Sequence, residues 1–495
     1  MNTTAPSISA AQAWLLGSYR RLDALAVPAF SMAQRSVSAL HPPRCLRHAR
    51  FVPLSTSLPQ EITSLAAYVA GHADGARLDC ADRLSVMLRY VAGPMRYEPL
   101  NTYAVHRTVP SARCQFPHRL MLLTRAGTRV RLYRYLSEHH ALEDCGDRPD
   151  LAAILGQHMW ALVGVGQFWA IADKYGEFSP FATALEAGMA QAQLEHLARA
   201  MHMSATALEH DAHCHRAASA LCSRDDEAVM YGLRCNSGDM LGQFHTDQQD
   251  GLIADISPSA ELDRRFVRLN AISRLFAAPA NQPPVETGRV GRASSVPKVP
   301  DLGLLQIMRT RHSGNDAPGM APNLRPLPDD TLPSLLGLWR AFERTRAPLP
   351  CESLLTVAVI WLGDDCYPAG LFDINAQPWP QTVRPEEVAH RLQSALPHPH
   401  MRYNMAALKA SVVILADPVN AIAMHGDAAL RRLHLAAGAM AQDFSLAAAA
   451  LRLFARPVRM LSEQRLEAGF NLPAQPIYQL LCGLNRSTNT AWDLL

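Results

Sequence analysis

The chain has 495 residues, of which 48% are hydrophobic and 18% charged, and its formal net charge is +3. This length predicts two domains, and the composition is that of a folded globular protein. Because this charge is small and no long basic run occurs, we expect no nucleic-acid partner.

The ten cysteines are scattered singly with no Cys-x-x-Cys pair, which argues against a disulfide framework and a zinc ribbon. Such cysteine usage is typical of a reducing cytoplasm. No apolar run approaches the ~18 residues that span a bilayer, and the N-terminus lacks the pattern of a signal peptide. We therefore expect a soluble, cytoplasmic protein with no membrane partner.

The predicted elements divide the chain into an N-terminal helical extension (1–44), a first domain (45–280), a linker rich in Pro, Gly, Ser and Val (281–301) and a second domain (302–495). In the first domain the sequence predicts a helix over 81–91, strands over 119–123 and 129–135, and helices from 150 onward. In the second domain it predicts helices over 331–344, 385–396 and 427–453, and strands over 354–362, 370–374, 411–415 and 477–484.

One helical pattern occurs twice: Gly176 recurs as Gly426 and Gly188 as Gly438, both 250 residues later. A fixed offset over a helix-length window indicates a duplicated domain. Each copy has helices and adjacent strands followed by a long Ala-rich helix, so the predicted fold class is α+β. The small residues of that helix fit packing inside one domain, and they also fit a pseudo-twofold contact between the two copies.

Other motifs carry weaker signals. His210 and Cys214 share one face of a helix, but a metal site needs three or four convergent ligands, so we expect none. The chain has no glycine-rich phosphate loop of the Walker type and no Gly-x-Gly-x-x-Gly, which disfavours a Rossmann-type nicotinamide site.

Several motifs occur in a specific order. They are Pro-Ser at 110–111, Leu-Tyr-x-Tyr at 132–135, Lys-Tyr-Gly at 174–176, Leu-Glu-Ala-Gly at 185–188 and, in the second copy, Arg-His-Ser at 311–313. In this order they resemble the flavin-dependent nitroreductase superfamily, specifically its SagB-type dehydrogenase branch, here in tandem duplicate. Members of that branch oxidise azolines to azoles in ribosomally made peptides.

The resemblance implies two tandem nitroreductase-like domains, each with a central, mostly antiparallel sheet flanked by helices, that form an intramolecular pseudo-dimer. It also implies FMN as cofactor, bound between the domains. The residues that match the binding motifs are Pro110, Ser111, Arg113, Arg311, Ser313, Asn315 and Arg486.

Only one such site keeps its motifs. In the first domain the phosphate-binding arm reads Ala-Asp-Gly-Ala-Arg at 73–77, where Asp74 would repel a phosphate. In the second domain the Pro-Ser position reads Pro-Cys-Glu-Ser at 350–353, with Glu352 adding a negative charge. The intact arm and the intact loop come from different domains, which predicts one composite FMN site.

The resemblance assigns Lys174 as the catalytic base and Tyr175 as its partner or as a substrate positioner, because aromatising an azoline requires loss of a ring proton. The same Lys-Tyr-Gly also fits an ordinary helix end with a glycine cap. The second copy has Met424 and His425 instead, so we expect that half to be structural.

The predicted function is an FMN-dependent peptide dehydrogenase that oxidises a thiazoline or oxazoline, with a precursor peptide and a cyclodehydratase as partners. One alternative is an NAD(P)H-dependent nitro- or quinone reductase. Another is a flavin-free scaffold subunit of a peptide-modifying complex.

Overall fold

The computed structural model describes residues 9–20, 50–72, 78–101, 103–208, 212–222, 225–236, 268–279, 299–314, 322–379, 383–397, 403–486 and 491–494. The predicted linker lies almost entirely outside these residues, as does the arm at 73–77. None of the described helices has the length and apolar character that crossing a membrane requires.

The described helices range in length from one turn to six turns. They are α1 (Ala10–Tyr19), α2 (Leu65–Ala70), α3 (Cys80–Ala92), α4 (Ala152–Leu155), α5 (Ala172–Tyr175), α6 (Ser179–Ala200), α7 (Ala212–Ser219), α8 (Leu269–Ala277), α9 (Leu304–Thr310), α10 (Thr331–Thr345), α11 (Pro385–Ser394), α12 (Pro418–His425), α13 (Ala429–Ala450) and α14 (Glu463–Phe470).

The strands form two large antiparallel sheets and one small one. They are β1 (Phe51–Pro53), β2 (Arg96–Tyr97), β3 (Val105–His106), β4 (His118–Ala126), β5 (Arg129–Leu136), β6 (Ala141–Asp147), β7 (Trp160–Gln167), β8 (Ala205–Ala207), β9 (Glu227–Cys235), β10 (Pro322–Asn323), β11 (Leu355–Trp361), β12 (Gly370–Phe372), β13 (Ala410–Ala416), β14 (Phe454–Val458), β15 (Gln475–Asn485) and β16 (Trp492–Asp493).

The two large sheets share one strand order. The first half contains the run β5-β4-β7-β9-β8, extended by β6 and β1, and the second half contains β12-β11-β13-β15 with β14 on the far side of β15. Read across each sheet, β5-β4-β7-β9-β8 corresponds strand by strand to β12-β11-β13-β15-β14, so the chain visits the positions of both sheets in the same order. The long helices α6 and α13 also have the same length, 22 residues each. The mixed helix and antiparallel-sheet class expected from the sequence is confirmed.

Helices α6 and α13 pack against each other through a reciprocal contact. A Cβ atom added to Gly188 would lie 2.0 Å from the Leu435 carbonyl oxygen, and one added to Gly438 would lie 2.0 Å from the Leu185 carbonyl oxygen. Leu435 follows Leu185 by the same 250 residues that separate the two glycines. The contact is therefore of the pseudo-twofold kind, with the same patch on both sides.

A second reciprocal contact lies where α2 and α9 begin. The Leu65 amide donates to the Leu302 carbonyl at 2.8 Å, and the Leu304 amide donates to the Thr63 carbonyl at 3.0 Å. One large apolar core runs through both halves, while two smaller clusters cover the outer faces of the sheets. The halves thus share their interior.

Most predicted elements of the second half are confirmed within a few residues. The expectation of helices from residue 150 onward is wrong, because β7 begins at Trp160 and runs through the middle of the first sheet. Its glycines allow close approach: a Cβ atom at Gly164 would lie 2.1 Å from the Tyr231 ring. Strands β6 and β9 were also not predicted.

Candidate functional site

Arg311 links the second half of the chain to the first. It follows α9 directly, and its side chain is buried. Its Nε donates to the Thr108 carbonyl at 2.6 Å, Nη2 donates to the Arg107 carbonyl at 3.3 Å, and Nη1 donates to the Ser313 hydroxyl at 3.3 Å. The predicted pair Arg311 and Ser313 is therefore brought to the loop that contains Pro110 and Ser111.

The start of α9 is held by the first half of the chain. The Glu61 carboxylate accepts hydrogen bonds from the backbone amides of Leu305 at 2.9 Å and Gln306 at 3.1 Å. A carboxylate at a helix N-terminus satisfies unpaired amides and interacts favourably with the helix dipole. This contact orients α9, and Arg311 lies directly after its last residue.

The loop over residues 110–116 is compact and has an unusual backbone. The Ser111 hydroxyl accepts a hydrogen bond from the Phe116 amide at 2.8 Å. Arg113, Cys114 and Phe116 have φ angles of 52°, 51° and 48°. Left-handed conformations cost energy for residues other than glycine, and they concentrate at functional sites.

Positive charge accumulates around this loop. Burial lowers the pKa of Arg311 to about 9, and it also lowers the pKa values of Arg107 and of Arg456 on β14. Two guanidinium nitrogens, Arg107 Nε and Arg96 Nη2, are buried without a hydrogen-bond partner among the described residues. Buried cations with unsatisfied donors are the expected setting for an anion.

One carboxyl group beside the loop, Glu186, is held uncharged at neutral pH. Burial raises the pKa of Glu186 on α6 to about 8, although hydrogen bonds from the Ser111 hydroxyl and the Ala112 amide act in the opposite direction. Glu186 therefore does not offset the positive charge of Arg107 and Arg311. The carboxylates that pair with this group of arginines are Glu98, 2.6 Å from Arg96, and Glu138, 3.9 Å from Arg107.

The Lys-Tyr pair occupies the short helix α5 before Gly176. The Arg113 guanidinium lies over the Tyr175 ring, 5.7 Å from its centre, and burial raises the pKa of Tyr175 to about 12. Lys174 is buried, with Nζ 3.6 Å from the Asp173 carboxylate. Gly176 ends the helix with a φ of 53°, so it does serve as the glycine cap.

Two other predicted cofactor residues are less informative. Asn315 lies outside the described residues. Arg486 is exposed at the end of β15, one residue after Asn485, whose amide nitrogen lies 3.2 Å from His312 Nδ1. Arg486 is thus near the arm that contains Arg311, but no described contact joins it to the loop.

The equivalent region of the other half is neutralised by its own side chains. The Arg346 guanidinium donates to Glu352 through two bonds of 2.9 Å and to Asp443 at 2.8 Å. Asp443 also contacts His196 Nε2 at 2.8 Å. Burial tends to raise the pKa of Asp443, but Arg346 and His196 together lower it. Among the described residues, the Arg346 guanidinium is therefore already paired with two carboxylates.

The sequence did not single out two residues of the site, Arg107 and Glu186. Arg107 stands between predicted motifs, and nothing in its neighbours distinguishes it from a surface arginine. Glu186 could have been found from the sequence. It is a charged residue in an otherwise apolar stretch, and the equivalent position in the second copy, 436, is alanine.

Comparisons with known proteins agree with this architecture. The sequence model of the Nitroreductase family matches residues 369–484, from near β12 to the end of β15. A solved structure from Anabaena variabilis, assigned as a nitroreductase, covers 94% of this chain and 99% of its own, with 18% identity and a TM-score of 0.67. The chain has a nitroreductase-like fold.

Two other solved structures match with lower scores. A protein of Ralstonia eutropha, also assigned as a nitroreductase, has 16% identity and a TM-score of 0.29 over 43% of this chain and 94% of its own. A microcin synthetase complex of E. coli has 16% identity and a TM-score of 0.26 over 48% of this chain and 85% of its own. A search of curated proteins found no match. The nitroreductase-like fold therefore rests on the Anabaena variabilis structure.

Proposed function

We propose that this nitroreductase-like protein is an FMN-dependent dehydrogenase with one cofactor site, formed by both halves of the chain. The observation that carries the proposal is the contact of Arg311 with the carbonyl groups of Arg107 and Thr108. It joins the arm of the second half to the loop of the first. The resemblance assigns the arm to the FMN phosphate and the loop to the same FMN site.

The charges of the site fit a phosphate group. Arg311 is buried, Arg107 and Arg456 are partly buried, and all three have lowered pKa values, while Glu186 is neutral. A bound dianion would stabilise the charged form of these desolvated guanidinium groups. Ser111, Arg113 and Ser313 would complete the cradle, and FMN would supply the two-electron redox chemistry.

The arrangement also supports one cofactor per chain. In the other half, Arg346 is saturated by Glu352 and Asp443, so a phosphate would have to displace two buried carboxylates. Breaking such a buried network is costly. The matching strand orders and the reciprocal helix contact support a tandem duplication of residues 45–280 and 302–495, followed by loss of one site.

For the substrate, we propose an azoline in a precursor peptide, modified beforehand by a cyclodehydratase. Lys174 and Tyr175 support this assignment, since the azoline-oxidising branch has the same pair in the same place relative to the loop and the long helix. Tyr175 stays protonated at neutral pH and can donate a hydrogen bond. The scattered cysteines support a cytoplasmic location.

A second candidate is an NAD(P)H-dependent nitro- or quinone reductase, which the match of residues 369–484 to the Nitroreductase family favours. The two reactions differ in what reduces the cofactor. Reduced nicotinamide would bleach the flavin quickly in a reductase, whereas the peptide dehydrogenase would be reduced by its own substrate.

The test is FMN binding by the wild-type protein and by variants from both halves. We expect about one FMN per chain, and we expect Arg311→Ala and Ser111→Ala each to weaken binding. Loss of a charge-assisted hydrogen bond costs about 1.5–3 kcal/mol, which is roughly a tenfold to hundredfold rise in Kd for Arg311→Ala.

The matched control is Arg309→Ala. Arg309 lies on the same arm but donates to the Gln60 carbonyl, away from the loop, so we expect wild-type affinity. A wild-type protein that stays colourless after reconstitution with FMN would refute the cofactor. A loss confined to one of the two site variants would refute the composite site.

A further inference from the structure

Glu186 is a buried carboxyl group with one oxygen unused. The residue is 5% exposed, and its Oε2 atom is buried without a hydrogen-bond partner among the described residues. The Ser111 hydroxyl and the Ala112 amide lie close enough to the carboxyl group to lower its pKa. Glu195 Oε2 is also buried without such a partner, so it is the position of Glu186 beside the proposed ligand loop that points to a partner on the ligand.

Burial keeps Glu186 protonated, although the Arg107 guanidinium acts in the opposite direction. One cation, one thiol and three phenols interact with it electrostatically from the loop, from α5 and from strands of both halves; these are Arg107, Cys114, Tyr175, Tyr231 and Tyr478. Burial raises the pKa of the carboxyl group to about 8, and the pKa values of the thiol and the phenols are raised well above that. At neutral pH, Glu186 therefore carries a proton that it can donate.

The other half has no such group. The position equivalent to Glu186, 250 residues later, is Ala436, which is buried. An unsatisfied carboxyl group in the core destabilises the folded state, so its presence there calls for a role. The carboxyl is present only in the half whose loop contacts Arg311.

We propose that protonated Glu186 donates a hydrogen bond from its carboxyl group to an acceptor atom of the ligand at the Arg311 site, so that the protein binds this ligand together with a proton. The inference rests on the proposed function, in which the ligand is FMN. Glu186 then acts as a positioning residue for the cofactor.

Binding should consequently depend on pH in a defined way. Above pH 8 the carboxylate has no proton to donate, and its negative charge faces an anionic ligand. If only the protonated form binds, the apparent Kd equals the intrinsic Kd divided by the protonated fraction, so it rises about tenfold between about pH 7 and about pH 9. The phosphate of FMN does not confound this range, because its second ionisation lies at about pH 6.

The experiment measures the Kd of FMN by fluorescence titration of the full chain, at about pH 7 and about pH 9. In Glu186→Gln the amide can still donate a hydrogen bond but cannot ionise. We expect this variant to match the wild type at the lower pH within about threefold and to lose the tenfold rise. Calorimetry at about pH 8 should show uptake of about half a proton per FMN by the wild type only.

Glu195→Gln is the matched control. Glu195 lies on the same helix, is buried, and has a pKa raised by burial to about 7. It accepts a hydrogen bond from Gln191 at 2.6 Å and lines a separate cleft of about 540 Å³. We expect this variant to keep the wild-type pH profile. Thermal melting of all three proteins at about pH 7 confirms that each is folded.

The outcomes are distinguishable. A wild-type Kd that does not change with pH, or a Glu186→Gln variant that keeps the tenfold rise, would overturn the inference and leave the cofactor assignment standing. Arg311 also has a lowered pKa, and any effect of its titration would remain in Glu186→Gln. A wild-type protein that binds no FMN at either pH would overturn both the inference and the proposed function.

Discussion

Lys174 and Tyr175 are neighbours in one short helix, yet their surroundings differ. Tyr175 faces the Arg113 guanidinium and lies within electrostatic range of Glu186, so it belongs to the wall of the candidate site. The Lys174 ammonium group is buried beside Asp173. Of the two, Tyr175 is the residue that the structure connects to the loop, and Lys174 is the one whose chemical role depends on an experiment.

Lys174→Ala should separate cofactor binding from catalysis. We expect the variant to keep about one FMN per chain and to lose azole formation by at least about a hundredfold, since general bases typically contribute that much or more. Peptide turnover followed by mass spectrometry measures the loss, and flavin absorbance measures the cofactor. Asp173→Asn, which removes only the ion-pair partner, is the control. Wild-type turnover in Lys174→Ala would exclude this lysine as the base.

Motifs of distinctive residue types predicted which residues come together, while their role in binding a cofactor stays a prediction. Arg311, Ser313, Ser111 and Arg113 do gather at one loop. Glu186 was read only as part of a motif, because its importance depends on burial and on the second half of the chain, neither of which a local pattern records. The pairing of the Glu352 carboxylate with Arg346 was not predicted for the same reason, because Arg346 is held by a contact with Asp443 on α13.

At the scale of elements, the contact between α6 and α13 sets the distance between the two halves. Two helices can approach this closely only if the residues at the crossing have no side chains. Gly188 and Gly438 provide that gap, and each faces a backbone carbonyl that cannot move aside without displacing its helix. The loop and the arm of the candidate site are positioned by this spacing.

Gly188→Ala and Gly438→Ala should therefore destabilise the protein by similar amounts, about 1–3 kcal/mol each, through overpacking. Urea unfolding measures the change. The control is Gly469→Ala on α14, where the nearest atom to an added Cβ is 3.9 Å away. That substitution should stabilise the helix by about 0.5–1 kcal/mol. A neutral result at either crossing glycine would contradict the reciprocal packing.

The failure to predict β7 has a physical explanation. Strand β7 contains Gly164 and Gly166, and glycine is depleted in strands, so its sequence did not indicate one. Both glycines are needed because side chains from β9 lie against them: the Tyr231 ring covers the first and Met230 the second. These requirements come from tertiary packing and are invisible in the local pattern. The long helices and the aromatic strands carry their own periodicity, and they were predicted correctly.

The molecule as a whole buries several neutral histidines. Burial lowers the pKa values of His118, His312 and His434 to about 3, and those of His106 and His140 to about 4. Between about pH 4.5 and pH 6.5 the unfolded chain binds protons at these histidines and the folded chain does not, so acid destabilises the fold. Glu186 and Glu195 act in the opposite direction, because they stay protonated when folded, but they are outnumbered.

His434→Gln should reduce this acid sensitivity. His434 packs against Phe181 and Phe276, and its Nδ1 lies 2.7 Å from the Leu430 carbonyl, a contact that a glutamine amide can replace. The variant removes one group that binds a proton only in the unfolded chain. The slope of unfolding free energy against pH should therefore fall by about 1.4 kcal/mol per pH unit below about pH 6.5. Urea unfolding at several pH values measures the slope. His390→Gln, at an exposed position, should leave it unchanged.

The reciprocal contact at Gly188 and Gly438 lies within a single polypeptide. Two separate subunits joined by such a contact would come apart on dilution, and their stability would depend on protein concentration. Here the partner surface is always present at a fixed effective concentration, so dilution does not separate the two sides. Each position of the contact is also encoded once. A substitution on α6 therefore leaves α13 unchanged. This permits a glutamate at position 186 and an alanine at the equivalent position 436.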